Sequence, residues 1–462
     1  MSPNRCYLCP QSIHPLGEGA IALILRTLKE TFPERFADIV MKKHKQLEDY
    51  RDQIRQCVKC GTCCAHCPVF AEENRESVVA RGKVTLANAL LNGDIEPDGQ
   101  LAASISKCLL CGKCVQNCPN QVPVDDIMLA MRREIAGRKG LSLFGHGVST
   151  VLKRPRLMNL LTRAGKLFSP LLFKRIPRRS GLRLRFPAPF ITRDRSLPEF
   201  TGKPFRDRHP EFIAGNPDQP LVSFFTGCMV NFMYPQIGEG ALQALRQLGL
   251  NILIPRGQGC CGLPALCSGD GATAEKLARR NLAALTRRQP DYIVTACASC
   301  FSGITKYLRE LGGDFEGLAD KVVDINEFLV QQGLPELLQS LAKPAETRRV
   351  TFHTPCHLRN HGIIAQPRTL LRALPGIELV EMADAESCCG LGGTFSVHHY
   401  ETSRKIGSHK AEAVKNSGAD LVATACPGCM MQLQDSLNHA GMPQKVVHVL
   451  ELVGKAISGE SA

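Results

Sequence analysis

The C-terminal half of the chain alternates short apolar runs with longer segments of helical periodicity. An apolar run over 221–227 leads into a cysteine, and apolar residues then recur at helical spacing over 239–248 and 273–286. Strands that alternate with helices predict a parallel sheet with helices packed on its faces. In such sheets the ligand site lies at the carboxyl ends of the strands. We therefore expect an α/β fold with its site at one rim of the sheet.

This half of the chain also repeats itself. The matching segments are LVSFFTGC at 221–228 and VTFHTPC at 350–356, CCG at 260–262 and at 388–390, and DYIVTACASC at 291–300 and DLVATACPGC at 420–429. Matching cysteines are offset by 128 or 129 residues, and a near-constant period indicates duplication. A strand-and-helix pair at 321–329 and at 445–453 completes each copy. The sequence thus predicts two similar parallel-sheet units.

Every cysteine of the repeat falls where a predicted strand ends. Five thiols in each unit are therefore expected to converge on one rim of the sheet and to hold metal. The first set is Cys228, Cys260, Cys261, Cys297 and Cys300, and the second set is Cys356, Cys388, Cys389, Cys426 and Cys429.

The N-terminal part of the chain is predicted to be helical and carries a different cysteine pattern. Helical periodicity covers 78–91 and 124–135, and two runs of the form CxxCxxCxxxCP start at Cys57 and Cys108. In bacterial-type ferredoxins such a run gives three thiolates to one 4Fe–4S cubane and its fourth thiolate to the other. The spacing assigns one cubane to Cys57, Cys60, Cys63 and Cys118, and the second to Cys108, Cys111, Cys114 and Cys67.

Zinc is the alternative for these two runs. A zinc site takes thiolates in two pairs, and it has no use for a third cysteine at the same spacing or for the proline that follows the fourth. The long helical interval between Cys67 and Cys108 resembles the all-helical ferredoxin domain of succinate dehydrogenase and related enzymes. We therefore expect an α-helical domain with two 4Fe–4S clusters.

Length and composition agree with this division. The 462 residues correspond to about three domains, and 44% hydrophobic and 22% charged residues are ordinary values for a globular chain. No apolar run approaches the roughly 18 residues that a membrane span needs, and the N-terminus lacks the pattern of a secretory signal. The 22 cysteines are therefore predicted to be metal ligands rather than disulfides.

The formal charge of +14 is concentrated in one segment. Residues 141–210 hold 16 Lys and Arg, 3 acidic residues and no cysteine. The interleaved apolar residues over 151–172 suit an interfacial helix on anionic lipid, and docking on an acidic partner subunit fits equally well. A solvated extended linker is the third interpretation. Nucleic acid is not an expected partner, because no DNA-binding motif is present.

The spacings C-x31-CC-x35-CxxC and C-x31-CC-x36-CxxC resemble the paired cysteine-rich, or CCG, domains. Such pairs occur in the catalytic subunit of heterodisulfide reductases and in iron–sulfur subunits of glycolate, lactate and anaerobic glycerol-3-phosphate dehydrogenases. The resemblance implies one or two non-cubane 4Fe–4S clusters, each held by five cysteines, with zinc or a plain cluster as the alternative in one unit. The chain layout and the basic insertion are most similar to the glycolate/lactate oxidase subunit.

This resemblance implies an electron-transfer subunit. Electrons would leave an FAD on a partner dehydrogenase subunit, pass the two cubanes and the CCG clusters, and reach a quinone, a disulfide or a redox protein. The alternative is a heterodisulfide reductase-like catalytic subunit that reduces a disulfide at a CCG cluster. No FAD or NAD is expected on this chain, because the GxGxxG match at 257–262 contains cluster cysteines and does not recur in the second copy. The expected location is the cytoplasm, with peripheral association at the cytoplasmic face of the inner membrane as an option.

Five segments follow from these observations. They are a helical extension over 1–45, a ferredoxin domain over 46–140, a basic docking segment over 141–218, and CCG units over 219–340 and 341–462.

Four cysteines lie outside the predicted sites: Cys6 and Cys9 form half of a metal site at most, Cys64 packs in a cluster loop, and Cys267 is a buried thiol. Core or surface positions are expected for His353, His357, His398 and His399, with proton delivery to the second unit as the alternative.

Overall fold

The computed structural model describes residues 44–176, 181–186, 191–342 and 346–460. The predicted extension over 1–45 lies almost entirely outside these residues, and so do Cys6 and Cys9. The described residues form a helical N-terminal block, a basic connecting segment and two α/β units, which confirms the predicted fold class.

The N-terminal block is built from short helices around two long ones. Its helices are α1 (Arg51–Arg55), α2 (Thr62–His66), α3 (Pro68–Glu73), α4 (Ala80–Asn92), α5 (Gly99–Ser106), α6 (Lys113–Gln116) and α7 (Val124–Lys139), with 3-10 turns at Glu48–Tyr50 and Glu76–Val78. The two long helices are the ones that the periodicity predicts. Helix α4 ends because Gly93 takes a left-handed backbone conformation with φ 77°. Helix α7 runs to Lys139, where basic side chains in the last turn favour the helix C-terminus.

The basic segment begins with two helices. These are α8 (Leu143–Lys153) and α9 (Pro155–Leu172), and the antiparallel pair β1 (Phe173–Arg175) and β2 (Leu182–Leu184) follows. The helical pattern predicted over 151–172 is divided at Pro155, because proline cannot continue α8 but fits the first turn of α9. The interpretation as an extended linker is therefore wrong for these two helices. Further along, the Arg195 guanidinium donates a hydrogen bond to the Ser396 carbonyl at 2.5 Å, which joins the segment to the second α/β unit.

The two α/β units share one strand order. The first sheet contains β3 (Phe212–Ile213), β4 (Leu221–Phe225), β5 (Asn251–Leu253), β6 (Tyr292–Thr295) and β7 (Val322–Asp324), and the second contains β8 (Arg348–His353), β9 (Ile377–Leu379), β10 (Leu421–Thr424) and β11 (Lys445–His448). The orders are β3-β5-β4-β6-β7 and β9-β8-β10-β11, with every described pairing parallel except β3 with β5. Because β5-β4-β6-β7 matches β9-β8-β10-β11 strand for strand, the predicted duplication is confirmed.

Helices cover both sheets and also join them. The first unit has α10 (Gly227–Phe232), α11 (Pro235–Gln247), α12 (Leu263–Cys267), α13 (Gly271–Thr286), α14 (Ala298–Ser302), α15 (Asp314–Lys321), α16 (Ile325–Gln331) and α17 (Leu334–Gln339), with a π-helical turn at Gly303–Leu308 and 3-10 turns at Phe205–Asp207 and Arg309–Leu311. The second unit has α18 (Cys356–Asn360), α19 (Ala365–Ala373), α20 (Phe395–His398), α21 (Tyr400–Ser417), α22 (Pro427–His439) and α23 (Val449–Ile457). Helices α11 and α23 cross so closely that a Cβ atom at Gly240 would lie 2.0 Å from the Leu450 carbonyl oxygen. The two units therefore pack as one body with a shared core.

Candidate metal centres

The two ferredoxin runs fold into the same tight loop. Lys59 and Gly61 have positive φ angles of 55° and 89°, and the matching residues Leu110 and Gly112 have 55° and 70°. Each loop leads directly into a short helix, α2 or α6. Left-handed residues at these two places turn the backbone so sharply that three cysteines surround one volume. The same cysteine spacing therefore comes with the same backbone turn in both runs.

Two cavities lie within these loops. The first is lined by Cys57, Cys60, Cys63, Cys114 and Cys118, and the second by Cys67, Cys108, Cys111 and Cys114. Each cavity therefore meets the fourth cysteine of the opposite run. This donor set of thiols around a small enclosed volume fits a 4Fe–4S cluster. Cys114 borders both cavities, so the two sites are neighbours, while the spare Cys64 borders neither.

Positive side chains accompany the thiols. Arg81 lines the first cavity, and Lys83, which is buried, lines the second and donates to the main-chain carbonyl of Lys107 at 3.2 Å. Burial raises the pKa of the Cys67 thiol to about 11, so metal binding there must displace a proton. A buried ammonium beside such a site offsets the negative charge that four thiolates bring.

The first CCG set is assembled from the ends of three strands. The Cys228 and Cys260 sulfur atoms are 3.9 Å apart, and Cys261 is in hydrogen-bond contact with Cys260 and Cys300. Cys297 completes the set through its contact with Cys300. The loop that carries the paired cysteines turns at Gly262, whose φ is 94° and whose Cβ position is crowded by the main chain of α13. All five predicted residues are thus brought together.

The second CCG set repeats this arrangement. Cys388 contacts Cys356 and Cys389, and Cys429 contacts Cys389 and Cys426. A histidine joins this set: the ligand atoms of His353, Cys389 and Cys429 lie within 4.8 Å of one another. From its place in the sequence, His353 is expected at a core or surface position, with proton delivery to the second unit as the alternative. Its spacing from Cys356 gave no sign that the side chain points at the thiols.

The four cysteine sets touch one another in a fixed order. Cys111 of the second ferredoxin site is in hydrogen-bond contact with Cys388 of the second CCG set. Cys426 of that set is in contact with Cys297 of the first CCG set. At this junction the Ser299 hydroxyl lies 3.6 Å from the Cys426 sulfur and 3.0 Å from Nδ1 of His357. The second CCG set therefore lies between the second ferredoxin site and the first CCG set in this series of contacts.

The glycine-rich loop after the second CCG motif serves this packing. Gly390, Gly392 and Gly393 have φ angles of 93°, 53° and 59°, as expected for a tight loop. A Cβ at Gly392 would lie 2.5 Å from Cδ2 of Leu109, in the ferredoxin loop. His399 also spans the two domains, because its Nε2 lies 2.7 Å from the Ser106 hydroxyl. The backbone of this glycine-rich loop therefore packs closely against the ferredoxin domain.

A cavity of ≈ 520 Å³ lies where the basic segment meets both CCG units. Its walls include Phe200 from the basic segment, Tyr234 from the first unit and Met430 from the second, and Glu451 lies at its edge. Burial raises the pKa of Glu451 to about 7. Among the described residues no cysteine lines this cavity. A molecule held here would meet a mixed lining, apolar at Phe200 and Met430 and charged at Lys166, Lys445 and Glu451.

Comparison with known proteins agrees with this geometry. Residues 222–305 and 350–434 match the cysteine-rich CCG domain, and residues 53–122 match the 4Fe–4S dicluster domain. The chain is 31% identical over 425 residues to the "probable glycolate oxidase iron-sulfur subunit" of Bacillus subtilis (strain 168), covering 87% of this chain and 94% of the relative. The chain belongs to this family of CCG iron–sulfur subunits. The predicted resemblance is confirmed.

Other members of the family carry different names. A subunit of the "fumarate reductase (CoM/CoB)" of Methanothermobacter marburgensis is 30% identical over 420 residues, covering 89% of this chain and 75% of the relative. "Lactate utilization protein A" of Geobacillus sp. (strain WCH70) is 34% identical over 240 residues, covering 50% of this chain and 98% of the relative. As a family member, the chain is an iron–sulfur electron-transfer subunit with 4Fe–4S clusters. No helix of the described residues is both long and apolar enough to cross a membrane.

Proposed function

We propose that this chain carries electrons from a flavin-bearing dehydrogenase subunit, which oxidises a 2-hydroxy acid such as glycolate or lactate, to a terminal acceptor. The supporting observation is the serial contact of the four cysteine sets, from the ferredoxin sites through the second CCG set to the first. The printed names of the relatives support the substrate class, since one is a glycolate oxidase subunit and another a lactate utilization protein.

The proposed ligands are those that the spacing assigns. Cys57, Cys60, Cys63 and Cys118 hold one cubane, and Cys67, Cys108, Cys111 and Cys114 hold the other. Each five-cysteine set holds a non-cubane 4Fe–4S cluster, with zinc as the alternative in one of them. Bound clusters of this kind supply one-electron transfer. The chain's own residues fix their spacing, exclude water and offset their charge, as Lys83 does beside the second cavity.

The acceptor in this proposal is a quinone held in the cavity beside Phe200. The apolar side chains of Phe200 and Met430 offer contact surface to a ring, and the carboxyl of Glu451 can deliver a proton as the ring is reduced. We place the subunit peripherally at the cytoplasmic face of the inner membrane, where a lipid-soluble acceptor is available. The partner that supplies the electrons is the FAD-binding subunit.

Disulfide reduction is the second candidate. The observation that favours it is the contact between Cys297 and Cys426, which brings the two CCG sets together at one junction. The relative from the fumarate reductase (CoM/CoB) agrees with it. In that case a disulfide would be cleaved between the CCG sets, and the cavity beside Phe200 would have no part in the reaction.

One experiment separates these functions. The native complex is purified anaerobically from its source, partner chains are identified by mass spectrometry, and flavin and iron are assayed. Glycolate, D-lactate and L-lactate are then tested for bleaching of the absorption near 400 nm. A co-purifying FAD subunit with hydroxy-acid-dependent bleaching supports the electron-transfer function. If no such subunit co-purifies and only a disulfide reoxidises the reduced clusters, the electron-transfer function is wrong and disulfide reduction takes its place.

A further inference from the structure

The second CCG set contains a histidine that the first set lacks. His353 is the last residue of β8 and is fully buried, and its ring lies within 4.8 Å of the sulfur atoms of Cys389 and Cys429. The residue 128 positions earlier is Phe225, the last residue of β4, which is buried as well. The duplicated units thus place an imidazole in one site and a phenyl ring at the same point of the other.

The His353 imidazole has no other polar partner in the part of the chain that the structure describes. The ring is in hydrogen-bond contact with the Cys389 thiol, and neither ring nitrogen is paired with a nitrogen or oxygen atom of the described residues, although the side chain is completely enclosed. Buried polar groups are almost always hydrogen-bonded, and an exception needs a reason. Imidazole nitrogen is a common metal ligand, and the thiols that face it are the proposed metal ligands of this set.

We propose that His353 binds metal through a ring nitrogen in the second CCG centre, which makes this centre chemically different from the first. The inference rests on the proposed function, in which the five-cysteine set holds metal. In this centre His353 takes the ligand position that one of the five thiolates fills in the first set, and a neutral imidazole in place of a thiolate raises the potential of an iron–sulfur centre, as it does in Rieske sites. We therefore expect the centre beside the ferredoxin domain to lose potential when His353 is replaced.

The test uses the full chain with ¹⁵N-labelled histidine, purified anaerobically and examined by pulsed EPR. We expect a ¹⁵N hyperfine coupling of the size found for a nitrogen bonded to iron. His353→Phe, which copies Phe225 of the first unit, removes the coupling and lowers the midpoint potential of this centre. His357→Phe, a neighbouring histidine that contacts Ser299, leaves the coupling unchanged.

The outcomes separate the two proposals. Iron analysis and the EPR signal of the wild-type chain show first whether the second set holds a cluster. A cluster that gives no strong ¹⁵N coupling, or a coupling that persists in His353→Phe, overturns the ligand assignment and leaves the proposed function intact. If zinc occupies the set, X-ray absorption at the zinc edge must show one nitrogen among the sulfur ligands. A set without metal overturns both proposals.

Helix α9 has an exposed apolar face, which is a second observation and is independent of His353. Its exposed apolar side chains are Leu160, Leu161, Leu167, Phe168, Leu171 and Leu172, with Leu167 74% exposed. At roughly 100° per residue they cover an arc of about 140°. The adjoining face packs on the protein, where Thr162 is buried and a Cβ at Gly165 would lie 3.1 Å from the Phe200 ring. An apolar arc of this size, uncovered by any described residue, indicates an interaction surface.

The charged side chains that α9 and the strand after it place beside this arc are positive, and one of them, Arg163, pairs with Asp207 at 3.6 Å. Arg156 and Arg163 lie along one edge of it, and Lys174 and Arg175 follow the helix C-terminus. Residues 141–193 contain no acidic residue. A helix with an exposed apolar face and basic flanks is suited to the interface of an anionic bilayer. We infer that α9 docks this chain on an anionic membrane surface.

Vesicle co-sedimentation tests the docking. The purified complex is mixed with vesicles of phosphatidylcholine alone or with about 30% phosphatidylglycerol. We expect binding to the anionic vesicles only, weakened by salt and reduced about tenfold by the double variant Leu167→Glu/Leu171→Glu. Leu337→Glu, on an exposed leucine of α17, is the matched control. Equal binding by the double variant, or capture of a partner subunit by this face without vesicle binding, overturns the membrane assignment.

Discussion

Arg359 of the second CCG unit donates a hydrogen bond from its guanidinium to the main-chain carbonyl of Cys111, 2.5 Å away in the ferredoxin domain. The same guanidinium donates to the Glu386 carbonyl at 2.6 Å, just before the paired cysteines of its own unit. One buried side chain therefore holds the two metal-binding loops together. This joint puts Cys111 against Cys388 and makes the second CCG set the neighbour of the second ferredoxin site.

Gly112→Ala tests this joint. A Cβ at Gly112 would lie 2.3 Å from Nδ2 of Asn360, so either the Asn360 side chain turns away and gives up its hydrogen bond to the Cys111 carbonyl, or the ferredoxin loop moves away from the second CCG unit. We expect a loss of about 2–4 kcal/mol in the free energy of unfolding and slower electron transfer from the cubanes to the CCG centres. Thermal unfolding and rapid-mixing absorption measurements give the two quantities.

Gly93→Ala is the matched control for this prediction. Gly93 has a similar φ of 77°, but nothing lies within 4 Å of the position of its Cβ. The control therefore carries the backbone strain alone, which costs about 1–2 kcal/mol. Equal effects of the two variants on electron transfer would contradict the role of the joint.

The crossed ligation of the cubanes predicts an asymmetric result for two cysteine variants. Cys118→Ser removes a thiol from the first cavity, although Cys118 belongs to the sequence run whose other three cysteines line the second cavity. We expect it to abolish or alter the EPR signal of the cubane held by Cys57, Cys60 and Cys63, and Cys67→Ser to affect the other cubane. Cys64→Ser, whose thiol borders neither cavity, should keep both signals and full iron content. Intact signals in Cys118→Ser would disprove the assignment.

Glu451 predicts a pH dependence of stability. Its pKa is raised from the ordinary value of 4.5 to about 7, with burial as the main cause. Between about pH 4.5 and pH 7 the folded chain keeps a proton that the unfolded chain releases. The Glu451 contribution to stability therefore declines as pH rises through this window and is constant above it.

Glu451→Gln should remove this decline. The glutamine oxygen can still accept the hydrogen bond that the His448 amide donates at 3.0 Å, and it buries no charge. We expect the variant to match the wild type near pH 4.5 and to exceed it by about 3 kcal/mol at pH 8. The thermal unfolding midpoints of both chains are measured across this pH range. Their difference reports the Glu451 contribution, because the other titratable groups contribute equally to both chains. A difference that does not grow with pH would contradict the prediction.

Gly202→Trp tests the cavity beside Phe200 as the acceptor site. Gly202 lines the cavity, and the nearest atom to the position of its Cβ is Cγ of Lys166 at 3.9 Å, so a larger side chain can be placed there. The indole should block the cavity, and quinone reduction should fall at least about tenfold while hydroxy-acid-dependent bleaching stays unchanged. Gly147→Trp, at an open position of α8 with nothing within 4 Å, is the control. Full quinone reduction by Gly202→Trp would exclude the cavity.

The fold class, the duplication and the membership of each cysteine set could be predicted from the amino-acid sequence. These features are local: CxxC spacing, the 128-residue offset and the alternation of strands with helices depend only on residues near one another in the chain or on a repeated pattern. The convergence of Cys297 and Cys300 with their partners followed from the general topology of parallel sheets, which brings strand ends to one rim.

The order of the centres and the surroundings of each set depend instead on tertiary packing. Which CCG set adjoins the second ferredoxin site is fixed by contacts such as Gly112 with Asn360, which no local pattern encodes. The position of His353 against Cys389 and Cys429 likewise required the fold, because a strand-end histidine and a strand-end phenylalanine satisfy the same apolar pattern. Periodicity determines which side chains are buried, whereas the packing of separate elements determines which buried groups meet.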